Sequence, residues 1–169
     1  MHYAPKSSAS KRPEPDTMLA LLFTIGTERY AIRARGVVAV VPDVALRAAP
    51  GTPRGVAGIL AYGGQLVPVV DLAQMLAAES ARARLSTRIV VAHYESGPDG
   101  ALIGLRVEQA GDAEDIPESA MVDPLLHARD APWLGALARH QGELFQIVEI
   151  GHLLGTELRA ALYPAAGKP

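Results

Sequence analysis

The stretch PGTPRGVAGILAYGGQLVPVVDL, residues Pro50 to Leu72, decides the fold of the chain. Two short apolar runs, Val56 to Leu60 and Leu66 to Val70, flank the pair Gly63-Gly64. A glycine pair between such runs can take the positive φ angles of a tight turn, so the pattern predicts a β-hairpin. Asp71 follows the second run and precedes a helical pattern, so its side chain can cap the free N–H groups at the start of that helix. The stretch is therefore predicted to be strand, turn, strand and capped helix.

The same pattern recurs in the C-terminal half of the chain. Gln65 to Leu72 aligns with Glu143 to Ile150, and Gly64 aligns with Gly142. In this alignment the two segments share a turn glycine, an apolar strand pattern, an acidic residue and an apolar helix start. Their coincidence in one register indicates an internal repeat. The sequence therefore predicts two similar β subdomains, with chance similarity as the alternative.

Composition excludes several classes of function. With 169 residues, of which 49% are hydrophobic, the chain can fill one domain or two lobes that share a core. The absence of cysteine excludes a disulfide framework and thiolate chemistry. The sequence lacks a membrane-spanning run and a secretory signal, which predicts a cytoplasmic protein without direct membrane insertion. A net charge of −2 and 5% aromatic residues argue against nucleic acid as a partner.

The rest of the chain places further strands around this hairpin. Residues 1–17 are predicted to be a disordered tail, and residues 165–169 form a second tail. Residues 18–164 are predicted to form two interleaved barrel subdomains with a boundary near residues 79–86. The five strand patterns before that boundary are enough to close one small barrel. A short helix follows it, Pro117 to Pro132 is predicted to be a loop, and Thr156 to Leu162 a C-terminal helix.

The polar residues form no recognisable catalytic, cofactor or metal site. The five histidines are scattered without metal-ligand spacing, and neither a phosphate-binding loop nor a serine nucleophile motif is present. The acidic cluster Asp112, Glu114 and Asp115 is interpreted as charge on an exposed strand edge, in preference to a cation site. Asp71 and Glu149 are interpreted as a helix cap and a strand-end residue. A non-enzymatic protein that acts through its surface is therefore predicted.

Successive motifs of the chain resemble those of the CheW-like domain, the coupling protein of bacterial chemotaxis-type signalling arrays. The similarity runs from about Leu19 to Leu162. The motifs are FTIGTERYAI at Phe23 to Ile32, VVAVVP at Val37 to Pro42, PGTPRGVAGIL at Pro50 to Leu60 and LVPVVDL at Leu66 to Leu72. Within the family, RLSTRIVVAHY at Arg84 to Tyr94 and LRAALYP at Leu158 to Pro164 are most similar to adaptors of the Wsp-type surface-sensing pathway.

The resemblance implies a mainly β fold with two five-stranded SH3-like barrels around a shared hydrophobic core. It implies an adaptor that couples the cytoplasmic tip of a methyl-accepting receptor to a CheA-like histidine kinase, through the CheW-like regulatory domain of that kinase. In the Wsp-type pathway, a two-component system, the output would be phosphorylation of a diguanylate cyclase. The adaptor would then take part in the control of cyclic di-GMP and biofilm formation.

Three positions depart from the family pattern. The family commonly has Glu where this chain has Ala39, and its Asn-x-Arg-Gly turn is here Ala61-Tyr62-Gly63-Gly64. We interpret the chain as a divergent adaptor that makes more apolar contacts, with Tyr62 as an exposed anchor for a partner. The alternative is an adaptor for an unusual receptor or kinase. The predicted partner-binding residues are Val38, Ala39, Val40, Tyr62, Gly63 and Gly64.

A second hypothesis is a small-ligand-binding β-barrel sensor. Its binding site would be the groove between the lobes or the loop from Pro117 to Pro132. No polar residues converge there in the sequence, so the adaptor is the preferred hypothesis.

Overall fold

A computed structural model describes residues 16–77, 85–123 and 129–164 of the chain. Most of both predicted tails and of the predicted boundary at 79–86 lies outside the described residues. Thr17, which the sequence interpretation assigns to the first tail, already pairs in a strand with Pro117.

The described residues are mainly β, as the sequence predicts. The strands are, in chain order, β1 (Thr17–Ile25), β2 (Glu28–Arg33), β3 (Val37–Pro42), β4 (Val56–Tyr62), β5 (Gln65–Asp71), β6 (Arg88–His93), β7 (Leu102–Val107), β8 (Ala113–Pro117), β9 (Met121–Val122), β10 (Leu134–His140) and β11 (Glu143–Val148). Helix α1 (Leu72–Ala77) follows β5, and helix α2 (Thr156–Leu162) has the bounds expected from the sequence. The predicted loop after β8 contains a 3-10 turn, Glu118–Ala120, and the short strand β9.

The central hairpin and its repeat have the same turn geometry. Gly63 and Gly64 join β4 to β5 with φ angles of 55° and 78°. Gln141 and Gly142 join β10 to β11 with φ angles of 50° and 77°. Positive φ at both central residues gives the two-residue turn that matches the right-handed twist of paired strands. The hairpin prediction is thus confirmed in both copies.

Asp71 caps helix α1, as the sequence predicts. Its Oδ1 atom accepts a hydrogen bond from the backbone N–H of Gln74 at 3.1 Å. An aspartate at this position satisfies one of the N–H groups that the first turn of a helix leaves without an intrahelical partner. The cap makes strand β5 and helix α1 consecutive without an intervening loop.

The described strands form two sheets, which we call barrel A and barrel B. Barrel B has the expected five strands, in the order β3-β6-β7-β5-β4, and barrel A has the order β8-β1-β2-β11-β10-β9, in which the two-residue strand β9 is added to the expected five. In barrel A, the two edge strands are separated in the chain by the turn Glu118–Ala120. In barrel B, a backbone bridge between Arg47 and Ile59 ties the connection after β3 to the other edge strand, β4. Each sheet therefore curls toward closure.

The hairpins are exchanged between the barrels, and this corrects the expectation that the first five strands close one barrel. The hairpin β1–β2 belongs to barrel A, and the hairpin β6–β7 belongs to barrel B. Two parallel pairs, β2 with β11 and β7 with β5, join the exchanged hairpins to their sheets. Local patterns predict a hairpin, but long-range packing decides which sheet it joins. The repeat unit is hairpin, strand and hairpin, and each unit gives its first hairpin to the other barrel.

The hydrophobic core predicted between the barrels is present. Ile32 of barrel A and Leu105 of barrel B are both buried in it, together with Trp133, which is 4% exposed. Leu158 and Leu162 pack helix α2 against the same core. Smaller apolar clusters fill the two barrels. Across the described ranges, no helix is long and apolar enough to cross a membrane.

Candidate partner-binding surface

Strand β3 presents an apolar outer surface. It is an edge strand of barrel B and pairs with β6. Its side chains alternate, so that Ala39 and Val41 pack against the interior cluster of barrel B. Val38 and Val40 point outward and are 41% and 43% exposed. Residues 36–42 include no charged side chain. An edge strand whose outward positions are all apolar is unusual, because charges normally protect such edges.

The tip of the β4–β5 hairpin is a second uncharged surface. Gly63 and Gly64 are exposed, and a Cβ atom built on either would have no atom within 4 Å. Leu66, beside the tip, is 71% exposed and pairs with Ala61, which is also exposed. Sequence reasoning missed Leu66 because it lies in an uninterrupted apolar run, which does not show where burial begins.

Tyr62 is less exposed than predicted. The structure places it half-buried against the interior cluster of barrel B, which includes Leu60 and Val67. Its ring therefore covers apolar side chains at the end of the barrel, and only part of it is available to a partner. This corrects the interpretation of Tyr62 as an exposed anchor.

Replacing Tyr62 by alanine is expected to lower the free energy of unfolding by about 1.5–2.5 kcal/mol, half the cost of truncating a fully buried aromatic residue. Urea denaturation measures this loss. Tyr62→Phe, which keeps the ring, is the matched control and should stay within about 0.5 kcal/mol of the parent chain. Equal stability of Tyr62→Ala and the parent would show that the ring does not support the barrel.

The structure brings the predicted site residues to one barrel but not to one point. Ala39 and Tyr62 contact the same interior cluster. Val38 and Val40 face outward from β3, and the two glycines form the hairpin tip. Since β3 and β4 are opposite edges of the barrel B sheet, no strand pairing within the described residues joins the two stretches.

Barrel A has a counterpart of β3, and that counterpart is charged. Strand β8 pairs with β1 as β3 pairs with β6, and both strands end in proline, Pro117 in β8 and Pro42 in β3. Two positions before the proline, β8 has Asp115 where β3 has Val40. Two residues of the predicted acidic cluster, Glu114 and Asp115, lie on an edge strand, since β8 is outermost in barrel A, whereas Asp112 precedes that strand.

The hairpin tips differ in the same way. Leu144 is the repeat equivalent of Leu66 and is 49% exposed. It pairs with Arg139, and its neighbour Glu143 forms an ion pair with Arg29 at 2.7 Å. The tip of barrel B has no charged residue between positions 61 and 66. Two equivalent surfaces are thus charged on barrel A and apolar on barrel B.

An arginine that sequence reasoning missed fixes the end of β3. The Nε and Nη2 atoms of Arg106 donate to the carboxylate of Asp43 at 3.0 and 2.7 Å, and Nη1 donates to Asp71 at 3.3 Å. The hydrogen bonds to Asp43 raise the pKa of Arg106 above its ordinary value. Asp43 directly follows β3, so this cluster ties β3 to β5 and β7. No local motif could reveal it.

Polar side chains converge in the groove between the barrels, which corrects the expectation from the sequence. The groove is lined by groups of both charges, among them Arg33, Arg35, His93 and Glu149. Arg33 and Glu149 approach each other to 4.0 Å. In the described part of the chain, no group of three or more His, Cys, Asp or Glu side chains could hold a metal ion.

The chain forms two interleaved β-barrels around a shared core, and the same outer surface is apolar on one barrel and charged on the other. This arrangement defines a double-barrel domain. The chain belongs to the CheW-like domain family, whose model matches residues 19–158. It is 25% identical over 119 residues to the chemotaxis protein CheW of Helicobacter pylori (strain ATCC 700392 / 26695), a match that covers 67% of this chain and 72% of that protein. Its fold is similar to the crystal structure of the scaffolding protein TtCheW from Thermoanaerobacter tengcongensis, with a TM-score of 0.75. That match has 22% sequence identity and covers 85% of this chain and 96% of the other.

Proposed function

We propose that the chain is a non-catalytic scaffold of a chemotaxis-type pathway, which couples a methyl-accepting receptor to a CheA-like histidine kinase in the cytoplasm. Membership of the CheW-like family supports this role, as do the names of the chemotaxis relative and of the scaffolding protein with a similar fold. The observation that carries the proposal is the apolar outer surface of barrel B. Its repeat equivalent on barrel A is charged, so the apolar character does not follow from the fold alone.

The proposed partner surface comprises Val38, Ala39, Val40, Tyr62, Gly63 and Gly64, and we add Leu66 to it. Its partners would be the cytoplasmic tip of the receptor and the regulatory domain of the kinase. Exposed apolar groups surrounded by polar surface mark protein interaction sites, and burying a fully exposed leucine contributes about 2 kcal/mol. Gly63, where the family commonly has Arg, fits contacts that depend more on apolar burial than on ion pairs, whereas Ala39, where the family commonly has Glu, packs against the interior cluster of barrel B.

The pathway is the finer part of the proposal. Two segments, residues 84–94 and residues 158–164, are similar to those of Wsp-type adaptors. This similarity supports a role in surface sensing, with cyclic di-GMP and biofilm formation as the output. A pull-down of the chain with a Wsp-type kinase and with a flagellar chemotaxis kinase tests this assignment. Preference for the flagellar kinase would contradict it.

Leu66→Asp is expected to weaken binding to the kinase regulatory domain or to the receptor tip at least about tenfold, because a carboxylate would be buried at the contact. Leu144→Asp makes the same change at the equivalent position of barrel A and should leave both affinities unchanged. Isothermal titration calorimetry with each partner measures both. Equal losses of affinity for the two variants would show that the interface does not lie on the hairpin tip of barrel B. No binding by the folded parent chain at hundreds of micromolar would contradict the scaffold proposal itself.

A further inference from the structure

The outer edge of β3 has backbone groups available for pairing. In an antiparallel pair, alternate residues direct their N–H and C=O groups away from the neighbouring strand. Within the described ranges, no backbone hydrogen bond reaches residues 38–42 from a segment other than β6. Such an edge is a template for a strand of another chain.

The molecule protects the equivalent edge of barrel A but not this one. On β8, Asp115 places an exposed carboxylate that opposes the approach of another strand, while Glu114 pairs with His140 of β10 at 3.0 Å. Strand β3 carries valines at its outward positions instead. A β-bulge between Val37 and Ala39 and the proline at position 42 bound the free edge on both sides. An added strand would therefore be short, and its register would be set by these two interruptions.

The charges at the two ends of β3 differ. Arg33 and Arg35 precede the strand and are both exposed. Arg33 approaches Glu149 to 4.0 Å, whereas Arg35 forms no ion pair with a described residue. At the other end, the carboxylate of Asp43 is neutralised by Arg106. The edge thus combines an apolar middle, a positive start and a neutral end. A complementary segment carries apolar side chains and a carboxylate that meets Arg35.

We infer that β3 receives an extended segment of a protein partner by strand addition. The segment has about four residues with alternating apolar side chains, runs antiparallel to β3 and carries a carboxylate at its C-terminal end, beside Arg35. This inference rests on the proposed scaffold function and specifies how one of its contacts is made.

The test uses a fluorescent probe peptide, acetyl-Val-Thr-Val-Thr-Val-Glu-amide, and the full chain. Fluorescence anisotropy should show binding with a dissociation constant of about 1 mM or tighter. The same peptide with N-methyl groups at alternate residues loses the N–H donors of a strand and should bind at least about tenfold more weakly. A peptide that ends in lysine should also bind more weakly, because it meets Arg35 with the same charge. Backbone amide shifts in NMR spectra should concentrate at residues 38–42.

Val40→Asp copies the charge of β8 onto β3 and should abolish peptide binding. Because Val40 is 43% exposed, the variant is expected to remain folded, which its thermal unfolding checks. Asp115→Asn, on β8, is the control and should bind the peptide like the parent chain.

Equal binding of the N-methylated and parent peptides, shifts confined to another surface, or no binding by the folded chain would overturn strand addition. If the chain then still bound the kinase and receptor, the scaffold function would stand without this mode of contact. A chain that bound the peptide but neither partner would leave the edge site intact and remove the scaffold function.

Discussion

Arg106→Leu is expected to lower the free energy of unfolding by about 3–5 kcal/mol, because it removes the cation between two carboxylates that are shielded from water. The side chains of Arg106 and Asp43 are 17% and 15% exposed, and that of Asp71 is 2% exposed. Water can therefore do little to replace the lost ion pairs. The variant keeps an apolar stem of similar size, so the loss reports mainly on charge and hydrogen bonding.

The surface pair between Arg29 and Glu143 provides a matched control. Its atoms approach to the same 2.7 Å as those of Arg106 and Asp43, but its side chains are 46% and 44% exposed. Arg29→Leu should therefore cost at most about 1 kcal/mol. Arg106→Lys should fall between the two leucine variants, since lysine keeps the charge but cannot form the two-pronged contact with Asp43.

Urea denaturation followed by the fluorescence of Trp133 measures these differences, because this tryptophan is the only one in the chain and lies in the shared core. Equal stability losses for Arg106→Leu and Arg29→Leu would show that burial does not strengthen the Arg106 cluster. A larger loss for Arg106→Leu would also predict weaker partner binding, since Asp43 holds the end of β3.

The features that the sequence predicts well are local. The Gly63-Gly64 turn and the Asp71 cap involve residues that are close together in the chain, and their backbone geometry follows from residue type. The internal repeat is visible for the same reason, because each copy keeps its own turn and strand pattern. Fold class, hairpins and the C-terminal helix can therefore be predicted from the sequence.

The features that the sequence does not predict depend on distant partners. Arg106 finds Asp43 and Asp71 at separations of 63 and 35 residues, and no spacing rule links them. The exchange of hairpins between barrels is likewise decided by packing. Exposure is also non-local: Leu66 and Val67 are adjacent apolar residues, yet one is 71% exposed and the other is fully buried. The sequence therefore predicts which barrel carries the proposed surface, but it predicts less well which residues form that surface.

Gly58→Val is expected to destabilise the chain by about 3 kcal/mol or more, because it combines backbone strain with a steric clash. Gly58 has a φ angle of 149°, which is costly for a β-branched residue. A Cβ atom there would lie 2.6 Å from the carbonyl oxygen of Arg47 and 2.8 Å from the Cβ atom of Leu46. Real Cβ atoms do not approach backbone this closely, so one of the two segments must move.

The movement would open barrel B at its closing bridge. The backbone N–H of Arg47 donates to the carbonyl of Ile59 at 2.9 Å, and the N–H of Ile59 donates to Arg47 at 2.8 Å. Both hydrogen bonds lie beside Gly58 and are the first that a larger side chain would break. Hydrogen exchange should therefore increase more at these two amides than at the amides of barrel A, which respond only to the loss of global stability.

Gly36→Ala is the matched control, because Gly36 has no positive φ angle and no atom within 4 Å of a built Cβ. It should change stability by no more than about 1 kcal/mol. If Gly58→Val and Gly36→Ala were equally stable and equally protected, the bridge between Arg47 and Ile59 would not hold the barrel closed. If only Gly58→Val lost stability, its affinity for the kinase would separate the contribution of the β4–β5 hairpin to binding from the contribution of a closed barrel. A surface formed by the β4–β5 hairpin alone should survive opening of the barrel. A surface that also needs the segment after β3 tied to β4 should be lost with the bridge.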